Sequence, residues 1–262
     1  MIPIKTKTEQ QAMREAGRVA AEVLEAACNF VRPGVSTLEI DEYAGECIRQ
    51  RGVKSAFLGY RGYPCNICIS VNEEVVHGLA GDRRLQFGDI VSLDCGVKHN
   101  GFIGDTARTI PVGSCDLETQ KLIDVTREAL YDGISRALPG NRVRDISRAV
   151  QNRVEANGFS IVREFVGHGV GRTVHEEPQI PNFASSGTSP KLKAGMTLAI
   201  EPMVNAGESA VKQMRDGWTV VARDGLPSAH QEHTVLVTDG EPEILTCLEQ
   251  TTAQKPSRLK VS

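Results

Sequence analysis

The chain repeats itself. Pro33-Gly34 recurs as Pro139-Gly140, Ile40 as Ile146, Ile48 as Val154 and Gly52 as Gly158, every pair 106 residues apart in a chain of 262. Two copies of one unit must cover each other's apolar faces, so the echo points to a duplicated fold with pseudo-twofold symmetry. Each copy reads as a helix, a Pro-Gly break and a second helix. Helices are predicted over about 8–30 and 37–51 in the first copy, and about 117–137 and 143–156 in the second. Leu38, Tyr43, Cys47 and Ile48 fall near helical spacing, as do Ile146, Val150 and Val154, so each second helix is expected to bury one face. Gly52 and Gly158 then serve as left-handed helix stops.

Strand-like segments follow each helix pair. SAFLGYRGYPCNICISV, DIVSLDCGVKHNGFIGDTARTIPV, AGMTLAIEPMVN, GWTVVARDG and EHTVLVTDG carry β-branched or alternating patterns bounded by Gly, Asn and Pro. The expected class is α+β: a curved antiparallel sheet with helices on its outer face. One domain is expected over 1–248, built of two pseudo-symmetric halves (about 1–110 and 111–248), with a flexible tail at 249–262. A site between the halves is natural, since ligand sites favour such interfaces.

A net charge of −3 excludes a global field for gripping nucleic acid or anionic lipid, so any ribosome or nucleic-acid contact has to be local. The start, MIPIKTKTEQQAMREAG, lacks a basic-then-apolar leader pattern, and no segment approaches the ~20 apolar residues that span a bilayer. Seven irregularly spaced cysteines fit reduced thiols better than a disulfide framework, and Cys65-x-x-Cys68 has no second pair to make a zinc ribbon. A cytoplasmic monomer with no membrane partner and no specific nucleic-acid partner is the expectation.

Five metal-capable side chains dominate the chemistry. Asp94 and Asp105 lie in LDCGVKHNGFIGDTART, His168 in GHGVGR, Glu201 in AIEPMV and Glu232 in HQEHTVLV. One imidazole and four carboxylates form a hard set suited to two divalent first-row ions, with Co, Mn, Fe(II) and Zn all acceptable. Asp94 and Asp105 flank a turn signal, and a loop centred between His99 and Asn100 would set them directly opposite each other on one face. Cys95 would then point into the core. Glu201 precedes Pro202, which favours extended backbone and a strand end. Taken singly, Asp94 and Asp105 also read as a solvated hairpin face with Asp105 bonding its own turn, Glu201 and Glu232 as strand-end charges turned to water, and His168, His77 or His175 as an ordinary interior or surface histidine.

Together the runs VNEEVVHG, LDCGVKHNGFIGDTART, GHGVGRTVHEEP, AIEPM and QEHTV closely resemble the successive motifs of type I methionine aminopeptidases, in order, from about residue 5 to residue 248. The resemblance implies the duplicated pita-bread fold and removal of the initiator methionine from nascent polypeptides whose second residue is small. It implies that Asp94 holds one ion, that Asp105 and Glu232 bridge two, and that His168 and Glu201 complete the second. It puts His77 beside the substrate amine, His175 against the peptide during attack, and Glu201 in the role of proton carrier. Tyr60, Tyr63, Cys68 and Trp218 would line the methionine pocket. Two positions depart from the bacterial pattern: Phe57 stands where cysteine is usual and Val174 where phenylalanine is usual, an exchange of volume that is expected to preserve the pocket while moving its aromatic wall. Without the long amino-terminal extension of eukaryotic relatives, the expected form is the short bacterial one. The alternatives are a proline-specific peptidase of the same superfamily and a catalytically inactive binding protein on the same fold.

Overall fold

The computed structural model describes residues 2–248, so the tail expected at 249–262 lies outside the described residues. The first half runs α1 (Lys7–Phe30), α2 (Thr37–Gln50), β1 (Lys54–Ser55), a 3-10 turn at Tyr60–Gly62, β2 (Cys68–Val71), β3 (Glu74–Val76), β4 (Ile90–His99) and β5 (Phe102–Pro111). The second runs α3 (Leu117–Ile134), α4 (Val143–Ala156), β6 (Ser160–Ile161), β7 (Gly167–Gly169), β8 (Glu176–Ile180), β9 (Thr197–Ile200), β10 (Met203–Asn205), β11 (Val211–Gln213), β12 (Val220–Ala222), β13 (Ser228–His230), β14 (His233–Leu236) and β15 (Glu243–Ile244). Every pairing is antiparallel. The ladders break into four sheets, with orders β1-β4-β2 (β5 on the other side of β4), β13-β10-β6, β11-β12-β3 and β15-β14-β9-β7-β8.

The helices start where the sequence can satisfy their first N–H groups. Thr6 and Ser36 accept from the backbone of Glu9 and Glu39, whose carboxylates reach back to the cap N–H, a reciprocal arrangement that holds both α1 and α2. The duplication is present in the backbone itself. Gly34 and Gly140, with φ of 90° and 94°, donate to Leu85 O at 2.7 Å and Leu192 O at 3.1 Å. Gly52 and Gly158 stop α2 and α4 with φ of 66° and 83°, as expected.

Three local expectations are corrected. α2 buries Ile40, Ala44, Cys47 and Ile48, whereas Leu38 and Tyr43 are 40% and 38% exposed; a Tyr43 ring stacked on Phe30 covers part of α1 instead of entering the core. α3 ends at Ile134 rather than near 137, because Arg136 and Ala137 turn back onto the carbonyls of Gly133 and Ile134 in a tighter i→i+3 pattern. Between β1 and β2 the chain is a loop rather than a strand, since Gly59, Arg61 and Gly62 all take positive φ.

The halves meet along a seam between β5 and the segment 230–234. Ala107 and Glu232 exchange backbone hydrogen bonds, and the hydroxyls of Thr106, Thr109 and Thr234 bond to Glu232 O, His230 O and Asp105 O. α1 lies against β5 so closely that a Cβ on Gly104 would sit 2.4 Å from Ala16 O, a contact only glycine permits. α1 and α2 cover β2 and β4 through a core that includes Val23, Ile40, Ile69, Leu93 and Cys95, so Cys95 points inward as expected. Leu122, Val150, Val154 and Ile161 form part of a matching core in the second half.

Candidate active site

The β4–β5 hairpin sets the first two carboxylates. Its turn is Asn100-Gly101, with φ of 48° and 83°, so His99 faces Phe102 and the register runs Gly96 to Asp105 and Asp94 to Ala107. Asp94 and Asp105 therefore share a face as diagonal neighbours, not as the directly opposed pair expected. The reason is local: both central residues of a two-residue hairpin turn need left-handed backbone, which Asn-Gly supplies and His99 does not.

The remaining ligand candidates come from the other half. β7 places His168 opposite Ala199 on β9, Glu201 follows the end of β9, and Glu232 immediately precedes β14, held by its backbone bonds to Ala107. One ligand atom each from Asp105, His168 and Glu232 lies within 4.8 Å of the others. His168 Nε2 is 3.2 Å from Glu201 Oε1 and 4.0 Å from Asp105 Oδ2. Asp94 and Glu201 line the same pocket.

Electrostatically this is an unbalanced cluster. Burial, then the neighbouring charges of Asp105 and Glu201, pushes Asp94 well above the usual carboxylate range, and burial followed by Asp105 and Glu201 does the same to Glu232. Asp105 is raised to about 6, chiefly by burial. Burial would raise Glu201 too, but the hydrogen bond from His168 and the nearby His230 hold it down to about 2. For His168 burial acts downward, and Glu201 with Asp105 overrides it to bring the imidazole up to about 9. Asp94 Oδ1, Asp105 Oδ1 and His230 Nε2 are buried with no hydrogen-bond partner among the described residues. Unpaired buried acceptors and crowded carboxylates cost several kcal/mol unless cations meet them. The donor set is hard, anionic and aimed inward, and divalent ions fit it.

The other expected residues surround the same pocket: Phe57, Tyr60, Tyr63, Cys68, His77, Val174, His175 and Trp218 all line it. Tyr60 OH is 2.8 Å from His175 Nδ1, leaving Nε2 free for the pocket, and the His175 ring stands 4.4 Å from His168. Burial, then the charge on His168, lowers His175 to about 4; burial lowers His77 as well. Both are neutral imidazoles at pH 7. His77 takes φ of 59°, and its ring stands nearly perpendicular to those of Phe165 and Trp218. Tyr63 donates to Gly78 O at 2.7 Å while its ring meets Trp218 edge-on at 5.0 Å. The Phe57 ring occupies the space above Gly96, where a Cβ would approach it to 2.5 Å.

Sequence reasoning did not single out His230, Phe165, Val76, Val166, Met203 or Arg61. His230 is buried with Nε2 3.6 Å from Glu201 Oε2, and the remaining five line the pocket. The only sequence signal for His230 was its place two residues before Glu232, and no continuous strand joins the two positions. The five others had no such mark, being ordinary apolar or loop residues.

With this geometry in view, the likeness to known proteins becomes specific. The profile of metallopeptidase family M24 matches residues 11–239. The methionine aminopeptidase of Clostridium perfringens is 52% identical over 248 residues, covering 95% of this chain and all of that protein. The chain belongs to metallopeptidase family M24, among its methionine aminopeptidases. It has their duplicated pita-bread fold and is a metal-dependent aminopeptidase. The crystal structure of the methionine aminopeptidase from Thermotoga maritima superposes with a TM-score of 0.92 at 46% identity, covering 94% of this chain and 99% of that one. A prolidase from Pyrococcus furiosus reaches only 0.77 at 25% identity, with 94% of this chain matching 66% of that one. Among the described residues no helix is long and apolar enough to cross a membrane, and the seven cysteines form no disulfide.

The Phe57–Val174 exchange is testable within this pocket, where both side chains belong to one apolar cluster. Phe57→Cys and Val174→Phe should each lower kcat/KM for a methionyl peptide by about tenfold, the scale of a mis-sized apolar pocket. The double variant should recover toward wild type. A double variant no better than the sum of the singles removes the idea of compensation.

Proposed function

We propose that this chain removes the initiator methionine from nascent polypeptides whose second residue is small, using two divalent ions drawn from Co, Mn, Fe(II) and Zn. The observation that carries the reading is the convergence of Asp94, Asp105, His168, Glu201 and Glu232 beside an aromatic, apolar wall in one pocket. Asp105 and Glu232, one from each half, are the candidates to bridge the ions; Asp94 would complete one and His168 with Glu201 the other. A bound divalent ion in such a site supplies Lewis-acid polarisation of the scissile carbonyl and makes a water nucleophilic near neutral pH.

The chain's own groups do the rest. Tyr63, Cys68, Trp218, Phe57 and Val174 offer the methionine side chain a soft apolar pocket with aromatic edges, which suits a flexible thioether. Tyr60, through its hydroxyl on Nδ1, orients His175 so that Nε2 faces the peptide, and a neutral imidazole there donates to the oxygen that gains charge during attack. His77, also neutral, lines the same pocket beside Phe165 and Trp218 and is assigned to the substrate amine. Glu201, which lines the pocket beside His168, is the carboxylate assigned to carry the proton to the leaving amine. This reading assigns the work to the cytoplasm, with a monomer as the working unit and any ribosome contact made through a local surface.

The deciding experiment measures the amino-terminal residue released, methionine or alanine, from Met-Ala-Ser, Met-Leu-Ser and Ala-Pro-Ser by metal-stripped protein re-supplied with Mn or Co. Cleavage of Met-Ala-Ser alone is expected. Cleavage of Ala-Pro-Ser would move the protein to proline-specific peptidases, and no cleavage with any ion would favour a binding protein.

A further inference from the structure

Residues 171–175 carry two pocket side chains, Val174 and His175, on a segment with no helix or strand of its own. Its backbone is tied to the rest of the fold by Ile103 N donating to Gly171 O at 2.8 Å. Besides the Gly169–Glu176 pairing and the Tyr60–His175 hydrogen bond, a further tie comes from near the start of the chain. Lys5 Nζ lies 2.5 Å from Glu176 Oε2, with the two side chains only 5% and 12% exposed. The other oxygen of the same carboxylate accepts from Arg172 N at 2.8 Å, so Glu176 closes the loop across its two ends while Lys5 holds the carboxylate.

Lys5 is itself fixed. Its N–H donates to Gly195 O at 2.8 Å, and its carbonyl accepts from Gln10 Nε2 at 2.8 Å. Gly195 lies just ahead of β9, the strand that delivers Glu201. Gly171 leaves the space for this arrangement, since a Cβ there would stand 2.6 Å from both Glu176 Oε1 and Lys5 Nζ. A second, exposed tie runs from Arg172 Nη2 to Glu9 Oε1 at 3.1 Å. A buried ion pair adds little net stability over an apolar filling of the same volume, but it fixes a direction that apolar contacts do not.

We propose that the buried Lys5–Glu176 pair is a positioning clamp for the reaction: it fixes the 171–176 loop to the start of β9 and so sets where His175 meets the scissile bond and Val174 the methionine side chain. The inference rests on the aminopeptidase reading above. Lys5 and Glu176 act through His175 and touch no reacting atom.

The test compares Lys5→Met, Glu176→Gln and the double variant with wild type, all metal-loaded and well below the lowest melting temperature. Each single variant should lose about tenfold or more in kcat, the scale of a small misplacement of a reacting group, with a smaller change in KM. Amide exchange should quicken over 171–176 and stay unchanged in β4. The double variant should be no worse than the more damaged single, because one interaction is lost in all three. A lower melting temperature with kcat within about twofold of wild type and an unchanged loop would reduce the pair to a structural contact and overturn the clamp. Should Lys5→Met fail to fold, the nearly isosteric Glu176→Gln decides alone. Should wild type cleave no methionyl peptide, the aminopeptidase reading has failed, and exchange over 171–176 still decides whether the pair holds the loop.

Discussion

Asp105→Asn should lower methionine release by at least about 10³-fold and, in metal-stripped protein, raise the melting temperature. The two effects have opposite signs because one carboxylate does two things. With ions present it is the best-placed bridging candidate, its ligand atom within 4.8 Å of those of His168 and Glu232, and loss of one such ligand removes several kcal/mol of transition-state stabilisation. Without ions it is a buried charge among Asp94, Glu201 and Glu232. Its proton affinity is raised to about 6 from a usual 3.8, so holding it ionised at pH 7 costs folding free energy on the order of 3 kcal/mol. An amide of the same shape relieves that cost. Thermal melts of stripped Asp105→Asn and stripped wild type, run with activity assays of the reloaded proteins, check both halves; a stripped variant less stable than wild type contradicts the electrostatic account.

Metal binding should stabilise the protein strongly and release protons; the stabilisation should grow from pH 5 to pH 8, while the number of protons released should fall as Asp105 ionises on its own. The signs follow from the individual shifts. Asp105, Asp94 and Glu232 bind protons more tightly in the fold than in the unfolded chain, so stability of the stripped protein falls as pH rises from about 4 through 6 and beyond. His168, raised to about 9, contributes stability that is complete below its ordinary 6.5 and lost as pH climbs through 9. Glu201, lowered to about 2, acts the other way: its contribution is present above 4.5 and disappears only as pH falls toward 2. The stripped protein should therefore be most stable in mildly acidic solution. Ions bind the deprotonated ligands, so they displace protons and reverse the trend. At a hundredfold excess over Kd, stabilisation of about 3 kcal/mol corresponds to a shift of roughly 10 °C for a chain of this size. Calorimetric titration of Mn or Co in two buffers of different ionisation enthalpy reads the proton count directly; a count of zero at pH 6 would remove the protonated-cluster picture.

Much of this molecule was legible because its signals are local. Helix periods and the Gly52 and Gly158 stops depend on neighbours a few residues away, and so they could be read from spacing alone. The opposite facing of Cys95 and Asp94 followed from strand alternation in the same way. The hairpin turn was misplaced by one position, which moves the register by two residues, although the information was local there too: Asn100-Gly101 tolerates left-handed backbone at both positions and His99-Asn100 does not. Leu38 and Tyr43 were misassigned because helical spacing marks an apolar stripe without saying which edge of it a neighbouring helix will cover.

What the sequence determined by itself was the kind of chemistry, since four carboxylates and an imidazole in those motifs restrict the choice to hard divalent ions whatever their arrangement. Tertiary structure alone decided which groups meet. The seam between β5 and residues 230–234 brings Asp105 to Glu232, the fold delivers His230 to Glu201, and Lys5 meets Glu176 across 171 residues of sequence. Such contacts are set by how two duplicated halves pack, a property of the entire core, and no short window of sequence carries it.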